Sequence, residues 1–130
     1  MVKKASVEGV LDGMVIIDLT QMLAGPYCTM MLADHGADVI KIEPPEGDMS
    51  RRLGPYADDK DGQNHSGYFH SINRNKRSVV LDLKSAEGVL IFKRLIEKAD
   101  AVVENFREGV MERLGLSYET LREINPRLVY

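Results

Sequence analysis

Three short segments carry side chains that could hold a polar or anionic ligand, and each also has a plainer structural reading. The first is Thr20-Gln21-Met22-Leu23-Ala24-Gly25-Pro26. It leads from an apolar run into a predicted helix, whose free N–H groups and dipole favour an anion or a polar ligand group. Gly25 would let a backbone approach closely. The plainer reading is a βα turn with proline in the first helical turn, and the pattern alone favours it. The loop has one glycine where the G-x-G-x-x-G fingerprint needs three, although Glu43 stands where a ribose-binding acid would.

The second segment is Asn73-Arg74-Asn75-Lys76-Arg77, followed by Leu81-Asp82-Leu83-Lys84. Lys84 leaves a predicted strand just before a predicted helix, where a point cation could meet a phosphate. A short basic run is more often a solvated face. The third is Glu104-Asn105-Phe106-Arg107-Glu108-Gly109, with Arg113 one turn beyond. Asn105 offers an amide, Phe106 an apolar wall, and Arg113 a group that can pair with phosphate or stack on a base. The same residues also read as a turn with an Asn cap and a core Phe.

Other candidates are poorer. Cys28 falls on an apolar helical stretch and reads as packing rather than as a nucleophile. Met30 and Met31 read as core. Asp18 and Asp82 each interrupt an apolar strand, as an orienting group or as an exposed position. His35, His65 and His70 match no metal spacing, and no Ser-His-Asp or Cys-His set can be assembled.

These segments must be positioned by alternating strands and helices. Met14–Leu19 reads as a strand, and a helix from Pro26 should stop at Gly36. Ala37–Glu43 reads as a second strand, closed by Pro44-Pro45. Residues 44–74 are polar and turn-rich and read as a mobile excursion with a short helix near Tyr68-Phe69. Ser78–Leu83 is a third strand, and Ser85 caps a helix with the stripe Val89, Phe92 and Ile96. Ala101–Glu104 is a fourth strand, followed by a short helix over 109–114 and another from Ser117 to Asn125-Pro126. Leu128-Val129-Tyr130 begins a further strand. The alternation predicts a doubly wound α/β fold, a Rossmann-like, mostly parallel sheet with flanking helices.

Of the 130 residues, 44% are apolar and 28% charged, the net charge is −3 and there is one cysteine. That balance fits a globular protein. It gives no global field for nucleic acid or anionic lipid, and no internal disulfide. Met1-Val2-Lys3-Lys4 resembles the start of a signal peptide, but Glu8 and Asp12 interrupt any apolar continuation. No stretch is long enough to cross a membrane, so a cytoplasmic location is expected.

Taken in order, these segments resemble CoA-transferase family III, the CaiB/BaiF type. The resemblance rests on Asp18–Pro26, Gly36–Pro44 with Gly47-Asp48, Asn73–Ser78, Leu81–Lys84, Val103–Phe106, Arg113–Leu116 and Asn125–Tyr130. It covers nearly the whole chain. It implies that residues 1–130 form the N-terminal part of a CoA-binding large domain, with acyl-CoA and a carboxylic acid as substrates and no metal. The implied CoA contacts are Gln21, Met22 and Ala24, then Leu81 and Lys84, then Asn105, Phe106, Arg113 and Leu114. Lys84 and Arg113 would meet phosphate or adenine, with Leu81 beside the adenine. The resemblance also implies an interlocked homodimer and a nucleophilic aspartate, which forms a mixed anhydride and then an aspartyl-CoA thioester. That aspartate is expected beyond Tyr130, so no catalytic residue is assigned here.

Two departures from the family pattern bear on the substrate. Pro44 replaces an arginine that formyl-CoA transferases place near the adenine. Leu23 replaces a glutamine, so formyl-CoA specificity is not expected. An α-methylacyl-CoA racemase-like enzyme of the same fold, and a CoA-binding chain that is inactive by itself, are the alternatives.

Overall fold

The computed structural model describes residues 9–58 and 64–130. Met1–Lys4, and Asp59, Asp61 and Gly62 of the turn-rich stretch, lie outside the described residues. Four parallel strands form the central sheet: β1 (Val15–Asp18), β2 (Asp38–Glu43), β5 (Arg77–Val80) and β6 (Ala101–Val103), in the order β5-β2-β1-β6. The register pairs Val15 with Asp38, Ile16 with Ala101 and Ile40 with Arg77. Val129 makes an isolated parallel bridge to Ala101 on the outer side of β6, a single-residue contact where the sequence predicts the start of a strand.

Period-two alternation sends successive strand residues to opposite faces of the sheet. Ile16 and Val39 pack with Ala33 and Ala37 on the face covered by α1 (Ala24–Asp34). Ile17, Ile40 and Ile42 face the other way, onto a core with Phe92, Ile96, Leu116 and Leu121. That second layer is built by α3 (Ala86–Ile96), the single turn α4 (Val110–Arg113) and α5 (Tyr118–Ile124). Helices therefore cover both faces, as a doubly wound fold requires. Gly36 stops α1 at φ 104°, a left-handed backbone open to glycine. Ser85 and Ser117 accept hydrogen bonds from the amides of Gly88 and Thr120, the expected caps.

Residues 44–74 hold more structure than their composition suggests. A 3₁₀ turn spans Met49–Arg52, β3 (Tyr56–Asp58) pairs antiparallel with β4 (Asn64–Ser66), and α2 covers Gly67–Asn73. The turn-forming residues are themselves the anchors. Asp48 caps the 3₁₀ turn through the Ser50 amide, and the Ser66 hydroxyl donates to the Ser50 carbonyl. Phe69 and Ile72 are buried beneath them. The excursion buries Phe69 and Ile72 and is tied down by Asp48 and Ser66, which a count of Gly, Pro and Asp could not reveal.

Two boundaries move for reasons that matter to the site. α1 begins at Ala24, two residues before Pro26. β5 ends at Val80, not Leu83. Leu81 N–H still donates to the Glu43 carbonyl. Asp82 then takes over: its side chain accepts the Lys84 amide and its carbonyl accepts the Ser85 amide. This Asx turn lifts Leu81–Lys84 out of the sheet and delivers the chain to the Ser85 cap.

Candidate ligand-binding cleft at the carboxyl edge of the sheet

The chain fills β5 at one edge of the sheet and then crosses to β6 on the far side of β1. Ligands of doubly wound sheets bind at such a switch point, outside the carboxyl ends of the strands. A cleft of about 210 Å³ lies there. Leu19 and Gln21 follow β1, Ile42 and Pro44 end β2, Leu81 to Lys84 follow β5, and Phe106, Val110 and Leu114 close the opposite wall. The walls are mostly apolar, and Lys84 is the sole cation among the lining residues. Among the described residues its ammonium makes no hydrogen bond or ion pair. An apolar slot with one uncommitted cation fits a flat ring tethered to phosphate. A larger groove of about 510 Å³ lies beside α3, lined by Val15, Asp38, Arg77 and Lys98. It sits at the amino-terminal part of the strands, and we assign no ligand to it.

Gln21, Leu81, Lys84, Phe106 and Leu114 thus line one cleft. The others are placed differently. Met22, on the loop after β1, and Ala24, the first residue of α1, are exposed but do not line the cleft. Asn105 directs its amide to the main chain of Gln21, accepting the Gln21 N–H at 2.9 Å and donating to the Gln21 carbonyl at 2.9 Å. Arg113 is exposed on α4, with its guanidinium against Gly109, so it does not share the cleft with Gln21 and Lys84. On a helix four residues make about one turn, so Arg113 lies over Gly109 rather than beside Leu114. Gly25 does permit a close approach, but its partner is the Thr20 side chain: a Cβ there would lie 2.4 Å from Thr20 Cβ.

The basic run Asn73–Arg77 is committed internally. Arg74 pairs with Asp34 and Arg77 with Asp38, each at 2.6 Å. Lys76 is buried and pairs with Asp18 at 2.9 Å, while also donating to the Pro26 carbonyl and to Asn73. Asp18 is the orienting group of the two aspartates considered. Fully buried, it accepts the Thr20 amide at 2.9 Å and the Thr29 hydroxyl at 2.7 Å. Glu43 is not free for a ribose, because Arg51 holds it with two 2.7 Å hydrogen bonds and Ser78 and the Asp48 amide also donate to it.

Sequence reasoning missed Lys41. It is 1% exposed, lies 2.8 Å from the equally buried Asp48, and donates to the Thr20 carbonyl at 2.7 Å. The available signal was a lysine inside Val39-Ile40-Lys41-Ile42: parallel strands are covered on both faces, so a charge there must find a partner. Asp18 and Lys41 together hold Thr20 from both main-chain sides and fix the base of the β1 loop.

Burial pushes the Glu43 carboxyl up, but hydrogen bonds from Arg51, Ser78 and the Asp48 amide outweigh burial and bring it down to about 2 from an ordinary 4.5. Asp48 is likewise lowered, its burial outweighed by Lys41 and Ser50. A carboxylate with a depressed folded-state pKa stabilises the fold above its unfolded value, and that stabilisation is lost as pH falls toward the folded value. Stability is therefore expected to fall between about pH 4.5 and about pH 2. Urea midpoints across that range should decline less steeply in Glu43→Gln than in the parent protein. Parallel declines would exclude Glu43 as a source of the acid sensitivity.

The family model described as CoA-transferase family III matches residues 11–130. A succinyl-CoA:mesaconate CoA-transferase of Haloarcula hispanica is 55% identical over 122 residues, covering 94% of this chain and 31% of that protein. An acetyl-CoA:oxalate CoA-transferase of Acetobacter aceti is 50% identical over 127 residues, covering 97% of this chain and again 31% of the relative. The chain therefore spans less than one third of the length of these relatives. A crystal structure of a CaiB/BaiF family protein from Brucella suis superposes with a TM-score of 0.89 at 45% identity, over 95% of this chain and 32% of that one. A switch-point cleft on a doubly wound sheet, matched in sequence and in backbone across almost every residue, leads to one assignment: the chain belongs to CoA-transferase family III.

Proposed function

We propose that this chain is the CoA-binding N-terminal portion of an acyl-CoA:carboxylate CoA-transferase. The observation that carries this reading is the apolar cleft with the unpaired Lys84 at the carboxyl ends of the strands. Leu81, Pro44 and Phe106 would enclose the adenine. Lys84 would pair with a phosphate, and Gln21 would meet the polar part of the carrier. Met22, Ala24 and Arg113 would reach the ligand only from the rim. The named relatives transfer CoA between carboxylic acids, which supports transfer over racemisation on the shared fold. Under this reading, covalent catalysis through an aspartyl intermediate belongs to residues outside these 130, and the working enzyme is a cytoplasmic homodimer. The chain alone would bind CoA without transferring it.

Lys84→Ala is expected to raise the Kd for CoA about tenfold, the scale of one charge-assisted phosphate contact at a partly exposed site. Calorimetry with CoA and with dephospho-CoA identifies the phosphate. A smaller loss with dephospho-CoA assigns Lys84 to the 3′-phosphate, and an equal loss assigns it to the diphosphate. An unchanged Kd for CoA would remove Lys84 from the site.

A further inference from the structure

We propose that Asn105 is a positioning residue, which acts on the ligand through Gln21 and not by touching it. The inference rests on the CoA-binding reading above and concerns how that site is held in shape. Both main-chain hydrogen-bonding groups of Gln21 meet this one side chain, each at 2.9 Å. The pairing is directional: the amide oxygen must face the N–H and the amide nitrogen the carbonyl, so one of the two amide orientations satisfies both. It also joins two segments 84 residues apart, the loops leaving β1 and β6 on adjacent strands.

The loop needs such a hold. Met22, the next residue, has φ 71°, a left-handed backbone that a residue with a Cβ adopts reluctantly. Asp18 and Lys41 fix Thr20 just before it. Asn105 fixes Gln21 itself, and Gln21 is the residue of this loop after Thr20 that lines the cleft. A loop locked before the ligand arrives loses less freedom on binding, which raises affinity without a direct contact.

The test separates the clamp from the ligand. In the intact protein without CoA, Asn105→Ala is expected to speed hydrogen exchange of the Gln21 amide about tenfold, with Ile17 and Val39 in the sheet unchanged. Asn105→Ser, a milder truncation that reaches neither group, should do the same. The Kd for CoA should rise about tenfold with Asn105→Ala alone, but less than twofold when the change is made in a Gln21→Ala background. Equal losses in both backgrounds would show that Asn105 touches the ligand itself and would overturn the proposal, as would unaltered exchange at Gln21. If the parent protein does not bind CoA at all, the CoA reading fails and the exchange result alone decides the clamp.

Discussion

Replacing Asp18 by alanine is expected to destabilise the fold by about 3–5 kcal/mol, because it leaves a buried ammonium without its counter-ion. Lys76 is 2% exposed at the side chain and Asp18 is fully buried. The variant leaves Lys76 only the Pro26 carbonyl and the Asn73 side-chain oxygen. It also strips acceptors from the Thr20 amide and from the hydroxyls of Thr20 and Thr29. The loss concentrates where β1 turns into its ligand loop, so the site should loosen with the fold. The double variant Asp18→Asn/Lys76→Met keeps an acceptor for Thr20 and removes the buried cation. It should lose less than half as much, since replacing both members of a buried pair avoids the unpaired charge. Urea denaturation of both variants makes the comparison. A double variant as damaged as Asp18→Ala would refute the unpaired Lys76 ammonium as the source of the loss.

Gly88→Ala is expected to be the second severe change, at about 3 kcal/mol, although alanine is ordinarily the better helix former. A Cβ at Gly88 would stand 2.0 Å from the Asp82 carbonyl oxygen and 2.7 Å from its carbon. The obstacle is backbone, so no rotamer change relieves it. Either α3 moves away from the sheet or the 82–85 turn moves away from α3. The second response breaks the Asp82–Lys84 and Ser85–Gly88 hydrogen bonds that place Lys84 at the mouth of the cleft. The variant should therefore lose both unfolding free energy and affinity for CoA, whereas Lys84→Ala should lose affinity alone. A Gly88→Ala protein with the parental urea midpoint would refute the close approach.

These two sites show where local reasoning stops. The order of elements was readable because it rests on short-range rules. Apolar β-rich runs at 14–19, 37–43 and 101–104 make strands, Ser85 and Ser117 cap helices through residues three positions on, and Gly36 accepts a left-handed stop. Much of the cleft was readable for the same reason. Gln21, Lys84 and Phe106 follow predicted strands, and parallel strands bring their carboxyl ends to one edge whatever lies between.

What each polar side chain does at that edge was decided by tertiary structure. Asn105 and Gln21 are 84 residues apart, Lys76 and Asp18 are 58 apart, and nothing in either neighbourhood announces the other. A basic run looks the same whether it faces solvent, phosphate or buried aspartate. Burial and partner distance separate these cases, and both come from the packing of segments distant in sequence. The sequence by itself determined which elements form, their order, and the edge where a ligand can bind. Only the folded arrangement decided that Lys84 stays uncommitted while Lys41, Lys76, Glu43 and Asn105 hold the scaffold, because a charge or amide can serve a ligand only when no closer partner claims it.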